Sequence, residues 1–352
     1  MRDVHVVVPD GIDDPARPSG GNTYDRLLCR ELGSHGWSVH EHAVAGFWGR
    51  PDVESFATLE ATLREIPDGA VVLLDGLIAS TAPEVLVPQS SRLRLIVLVH
   101  MPLGHRPPDD AARQREGAVL AAAAATVTTS AWTRRRLIGL YGLPADRVRV
   151  AEPGAPAAEP ARGTTAGEAL LCVGAVTFEK GHDVLLEALA SIPSLSWHCT
   201  CVGSLDRDPT FVESLRRRAL ERGLGERLSF PGPWTGADLD RTYASADLLV
   251  HASRTETYGL VVTEALARGL PVIAADVGGT VEALGEGAAG AWPGLLVAPE
   301  DPLALGEALS AWLGDAGLRA RLRRAAGERR ESLPRWSTTA SEVAQVLAEV
   351  SG

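Results

Sequence analysis

The chain has 352 residues, 45% of them hydrophobic and 22% charged, and a net charge of −11. That length exceeds what one hydrophobic core normally serves, so two domains of roughly 150 to 200 residues are expected. The acidic balance argues against a sequence-independent nucleic-acid binder, which needs a basic footprint, and no apolar run reaches the ~18 residues that span a bilayer. The opening MRDVHVVVPDG runs directly into a strand without the apolar stretch of a signal peptide, so a cytoplasmic location is expected. Four cysteines are too few and too scattered for a disulfide framework. Cys199 and Cys201, two apart, share one strand face and read as small core residues.

Short β-branched runs alternate with helix-length amphipathic segments. VHVVVP, WSVHEHAV, AVVLLD, LRLIVLVH, ATVTTS and RVRVA form a first series of strands. ALLCVG, SWHCTCVG, RLSFPG, ADLLVHAS, LPVIAAD and GLLVAP form a second. Several are apolar on both faces, as interior strands of a parallel sheet are, and the alternating order implies sheets covered by helices on both sides. Between the series EPGAPAAEPARGTTAGE lacks periodic hydrophobics and reads as a linker. The expected fold is α/β, with two facing doubly wound, Rossmann-like domains at 1–155 and 169–335, a linker at 156–168 and a last helix within 336–352. An alanine-rich helix is expected at 118–125, and the last helix is expected to start near Ser337 or Thr338 after a break at Pro334.

Ligands of such sheets bind outside the carboxyl ends of the strands, and the candidates lie there. After the first strand, PSGGNTYDRLLCREL places Gly20 and Gly21 before a helix, where paired glycines let backbone N–H groups approach an anion. A purely structural turn fits equally well. The spacing is not the G-x-G-x-x-G of a dinucleotide site, which counts against a dehydrogenase. His100 closes LRLIVLVH at a strand end, with core packing as the competing account. Lys180 sits in CVGAVTFEKGHDVLLEAL, in the crossover between strand and helix, where a flexible cation can meet phosphate or simply face solvent. In SRTETYGLVVTEALARGLPV, Glu256 falls in a turn after a buried strand and Glu264 in the second turn of an apolar helix. Carboxylates are rarely buried without partners. Hydroxyls of a bound polyol would serve, with backbone N–H groups at Tyr258, Gly259 and Leu260 for its phosphate.

These stretches, in this order and over essentially the whole chain, resemble glycosyltransferase family 4, retaining enzymes of the two-domain GT-B fold with an interdomain cleft. The strongest parts are ALLCVGAVTFEKGHDVLLEAL, LSFPGPWTGADLDRTYASADLLVHASRTETYGLVVTEALARGLPVIAADVGGTVE and the final RWS with its helix. The resemblance implies that Glu264 binds nucleotide ribose and Glu256 a hydroxyl of the donor sugar. It implies that Tyr258, Gly259 and Leu260 meet the diphosphate through backbone, with Lys180 as its cation. Gly20 and Gly21 would approach the donor, His100 would lie by its sugar, and residues 230–234 would wall the base. The last helix would cross back onto the first domain. By the same resemblance, Glu256, His100 and Lys180 would be catalytic in the sense of positioning and charge stabilisation.

Two departures stand out. Gly174 is followed by Ala175 where the family usually has arginine, and EPGAP replaces the usual Asn-Gly before the linker. The implied activity is transfer of a hexose-type sugar from a nucleotide-diphosphate sugar to an acceptor, with retention and without a metal, since no Asp-x-Asp motif stands out. No cofactor is implied beyond the nucleotide-sugar co-substrate. The partners expected are that donor and an acceptor met by first-domain loops such as GFWGRPD and MPLGHRPPDD; nucleic acid and membrane are not expected. TRRRLIGLYG reads as a solvated helix face. A noncatalytic nucleotide-sugar binder, favoured by Ala175, and an epimerase or hydrolase on the same architecture stay open as alternatives.

Overall fold

The computed structural model describes residues 2–16, 18–105, 109–287 and 290–352. Three residues of the loop MPLGHRPPDD, 106–108, lie outside the described residues. Each of the twelve apolar runs forms a strand. The first series gives β1 (Arg2–Pro9), β2 (Trp37–Val44), β3 (Val71–Asp75), β4 (Arg94–Val99), β5 (Ala125–Thr128) and β6 (Val148–Val150). The second gives β7 (Ala169–Val173), β8 (His198–Val202), β9 (Leu228–Gly232), β10 (Leu248–His251), β11 (Val272–Ala275) and β12 (Gly294–Val297). They build two six-stranded sheets, ordered β2-β1-β3-β4-β5-β6 and β12-β11-β10-β7-β8-β9. All pairings are parallel, and helices alternate with the strands. The fold is α/β with two doubly wound sheets. No helix among the described residues is long and apolar enough to cross a membrane.

By its contacts the chain divides into two units. One comprises Met1–Asp13, Ser19–Gly154 and Pro334–Gly352, the other Asp14–Pro18 and Ala155–Leu333. In the first, one face of the sheet buries Val7, Leu74 and Val97 against Leu59, Leu63 and Leu120; each such side chain contributes about 1.5–3 kcal/mol by leaving water. The last helix, Trp336–Ser351, begins one residue ahead of the expected start. It buries Trp336, Thr339, Ala340, Val343, Val346 and Leu347 along one stripe. That spacing is helical, and the stripe packs on helix Gly20–Leu32 and on β3, β4 and β5. Thr339 Oγ1 fixes its first turn by donating to Glu152 O at 2.6 Å.

The alanine run departs from expectation. Helix Asp110–Ala122 ends inside it and Ala125 already belongs to β5, paired with β4 and β6. Alanine's helical preference is worth under about 0.7 kcal/mol per residue over ordinary residues, less than β5 gains as an interior strand of the sheet.

In the second unit the sheet is covered on one side by a core containing Leu185, Leu189, Leu215 and Trp312, with Cys199 and Cys201 inside it. Tyr243, Tyr258, Val262 and Leu266 belong to the other core. Residues 156–168 form neither helix nor strand, yet they are held closely to this unit. Asp247, whose side chain is wholly buried, accepts from Thr164 N and Thr164 Oγ1, both at 2.6 Å, from Ala169 N at 2.9 Å and from Arg323 at 2.7 Å. Trp312 Nε1 donates to Gly167 O at 2.8 Å.

Both sheets reverse their winding order once, between β1 and β3 in the first and between β7 and β10 in the second. Loops leaving neighbouring strands diverge at such a reversal and open a crevice at the carboxyl ends. Gly20, Gly21, Asp75 and His100 follow β1, β3 and β4. Lys180 follows β7, and Glu256 follows β10.

Candidate functional site

In the second unit, strand β10 ends in His251 and the turn after it carries Glu256. Lys180 closes a short 3-10 turn, Phe178–Lys180, after β7. Its Nζ donates to Glu256 Oε2 at 2.8 Å, and His251 Nε2 lies 3.3 Å from the same oxygen. Thr257 N donates to Glu256 Oε1 at 3.2 Å. The Glu256 side chain is 12% exposed and that of Lys180 32%. Burial opposes the charge on Glu256, but Lys180 and His251 outweigh it and hold the carboxyl well below the usual carboxylate range. An ammonium has three donors, so the bond to Glu256 leaves Lys180 two for a ligand.

The turn is braced from behind. Gly278, at φ +57°, lies so near it that a methyl group there would stand 1.6 Å from Glu256 O, and Gly279 N donates to that oxygen at 3.0 Å. Only glycine permits this approach. Gly259 caps helix Leu260–Leu266, and Tyr258 is buried in front of it.

Glu264 stands on that helix, half-buried. Tyr243 OH donates to its Oε2 at 2.8 Å, while Oε1 makes no bond among the described residues. Burial pushes the Glu264 carboxyl up, against the Tyr243 bond and the nearby Arg268. Burial and the carboxylate together hold Tyr243 well above its ordinary value, so it remains a donor. Trp234, in the stretch 230–234, packs at the edge of the core that contains Tyr243.

Arg254, a second cation near the turn, is already engaged. It forks onto Asp183 at 2.8 and 2.9 Å, reaches Glu300 at 3.2 Å and lies over the Phe178 ring. Lys180 rather than Arg254 is therefore the cation with donors to spare.

The first unit gathers a different set. Ser19 caps helix Gly20–Leu32 by accepting from Asn22 N at 3.1 Å. A methyl group on Gly21 would stand 3.1 Å from His100 Cδ2, so glycine lets the helix start lie against the imidazole. Tyr24 meets the ring edge-on, with centroids 5.2 Å apart. Asp25, one turn further along the helix, takes His100 Nε2 at 2.8 Å; Asp75, at the end of β3, has Oδ2 3.6 Å from the same nitrogen. Burial works against a charged ring, but Asp25, and more weakly Asp75, raise His100 above the ordinary histidine value.

Lys180, Glu256, Tyr258, Gly259, Leu260 and Glu264 thus fall in the second unit, and Gly20, Gly21 and His100 in the first. Sequence reasoning passed over His251, Tyr243, Asp25 and Asp75. Asp75 had a signal, because a carboxylate ending an apolar strand lies where α/β ligands bind. Cys172, His182 and Cys201 also lie close together, but all three are buried within the second unit's core.

Residues 163–329 match the family described as Glycosyl transferases group 1. The chain is 37% identical over 210 residues to D-inositol 3-phosphate glycosyltransferase of Nocardia farcinica, covering 54% of this chain and 44% of that protein. It is 34% identical over 231 residues to the protein of the same name from Xylanimonas cellulosilytica, covering 60% and 54%. The chain spans about half the length of the curated relatives it matches. Among solved structures it is similar to sucrose-phosphate synthase from Thermosynechococcus elongatus, at 22% identity over 99% of both chains with a TM-score of 0.82. It is also similar to Anabaena Alr3699/HepE in complex with UDP-glucose, at 18% identity over 99% of this chain and 100% of that one, with a TM-score of 0.77. These structural likenesses establish the two-domain α/β architecture, GT-B.

Proposed function

We propose that the protein is a retaining glycosyltransferase that moves a sugar from a nucleotide-diphosphate sugar to an acceptor, without a metal or an organic cofactor. The observation that carries this reading is the Lys180–Glu256 pair at the winding reversal of the sheet, with Glu264 on the helix that follows, inside the matched segment 163–329. Glu264, with Oε1 unengaged, would take the ribose hydroxyls. Glu256, kept ionised by Lys180 and His251, would accept from a hydroxyl of the sugar. Lys180 would spend its remaining donors on the diphosphate, together with the backbone at Tyr258, Gly259 and Leu260. As the sugar–phosphate bond breaks, its electron pair passes to the leaving phosphate oxygen. Fixed donors that need no reorganisation stabilise that charge best. His100, with Gly21 against it, and Gly20 at the same helix start are proposed to serve the transferred sugar. A noncatalytic binder remains the second reading, favoured by Ala175.

Transfer should persist in excess EDTA, because the phosphate charge is assigned to Lys180 and backbone. The experiment offers nucleoside-diphosphate sugars with an acceptor panel that begins with inositol 3-phosphate, the compound in the relatives' name. Product with inverted anomeric configuration, or activity lost to EDTA and restored by magnesium or manganese, would refute the mechanism; turnover of any donor would refute the noncatalytic binder.

A further inference from the structure

Among the described residues, one buried carboxylate oxygen of the first unit lacks a donor. Asp25 is 3% exposed; its Oδ1 bonds His100, and its Oδ2 meets no N–H or O–H group. The carboxyl of Asp75, 8% exposed, lies beside it: oxygens of Asp25 and Asp75 and a ring nitrogen of His100 fall within 4.8 Å of one another, and Asp75 Oδ1 caps helix Gly76–Thr81 by accepting from Leu77 N at 2.7 Å. Two carboxylates this close and out of water do not both ionise at ordinary cost. A proton on Asp75 supplies the donor that Asp25 Oδ2 lacks. On the other side, Asp25 takes His100 Nε2, and no described residue bonds Nδ1.

We propose that Asp25 and Asp75 are positioning residues that share one proton and hold His100 as an imidazolium, so that a trio of zero net charge offers the Nδ1–H to an oxygen of the bound donor. This rests on the transferase reading above. The charge count would let two carboxylates face a phosphate-bearing ligand: Asp25 and His100 cancel, and Asp75 is neutral. Asp25 on helix Gly20–Leu32 and Asp75 at the end of β3 are the charged groups that act on the ring, with Tyr24 packed on its edge.

Burial, then the neighbouring Asp25, pushes Asp75 up to about 7. Above that the trio carries one negative charge and opposes a phosphate ligand, so kcat/KM for the donor falls as pH rises through about 7. The alkaline loss therefore belongs to the trio, through ionisation of Asp75 and through loss of the imidazolium proton of His100.

The test is an NMR titration of the histidine rings in the ligand-free chain, alongside pH profiles of kcat/KM. In the wild type His100 should titrate above 6.5, the ordinary value. Asp25→Asn should bring it to 6.5 or below and cut kcat/KM above neutrality roughly tenfold for each unit lost. Asp75→Asn, whose amide N–H replaces the shared proton, should make the alkaline fall follow the His100 titration alone, still above 6.5. A wild-type His100 titrating at or below 6.5 overturns the proposal even if neither variant folds; so does an Asp25→Asn variant in which His100 does not move. The transferase reading fails separately, by absence of donor binding and turnover while the His100 titration comes out as expected.

Discussion

Lys180→Ala should cut turnover by roughly a hundredfold or more. Removing one preorganised donor from developing negative charge costs about 2.7–4 kcal/mol, and each 1.36 kcal/mol is about tenfold. Ala175 brings no arginine to share the load, and Arg254 is committed to Asp183 and Glu300. The substitution also strips Glu256 of its nearest counter-charge. Breaking a fully buried pair costs roughly 3–5 kcal/mol and an exposed one under about 1 kcal/mol; with Lys180 about one-third exposed, the loss of stability should fall between them and leave the fold intact. A pH series separates the two effects. Glu256, held below its ordinary 4.5, contributes stability that is present above that value and lost as pH falls toward its depressed one. Lys180→Ala should shrink this acid-side loss. Arg254→Ala is the control, expected to lower the melting temperature with little effect on turnover. If Arg254→Ala crippled transfer and Lys180→Ala were nearly silent, the phosphate cation would be Arg254.

Glu264→Ala should weaken nucleotide binding at least tenfold. Hydrogen bonds to a charged group are worth about 1.5–3 kcal/mol each, and about 1.4 kcal/mol is tenfold in affinity. Because Tyr243 donates to Glu264, the variant also leaves a buried hydroxyl without its acceptor, at about 1–3 kcal/mol of stability. Tyr243→Phe separates the losses, since it removes that bond while keeping the carboxylate. Calorimetry with nucleoside diphosphates and a melting curve on both variants decide the matter. A Glu264→Ala protein of lowered melting temperature and unchanged affinity would make Glu264 purely structural.

The interior strands were legible because such parallel strands are apolar on both faces, a pattern that survives without tertiary information, and the edge strands because each continues the alternation of strand and helix. Lys180, Glu256 and Glu264 were legible because each interrupts such a pattern with a charge beside a strand end or within an apolar helix. His251 was not, since one polar residue at the end of LLVH looks like strand termination until Glu256 is seen 3.3 Å away. Asp25 was hidden by its company: in YDRLLCREL it reads as part of the polar face of an amphipathic helix, and only folding brings it to His100. The alanine run misled for the opposite reason, because local helical preference is weak and the sheet needed Ala125. The irregularity of 156–168 was plain, but its attachment was not, because Asp247 is 83 residues from Thr164.

That attachment bears on how the chain can be cut. A tether between domains is where proteases nick and where fragments are cut. Here the amides of Thr164 and Ala169, and the carbonyl of Gly167, are bonded into the body of the second unit through Asp247 and Trp312. A fragment begun at Ala169 would forfeit both bonds from Thr164 and leave a wholly buried carboxylate with only Ala169 and Arg323, so an excised second unit has to begin upstream of Gly163.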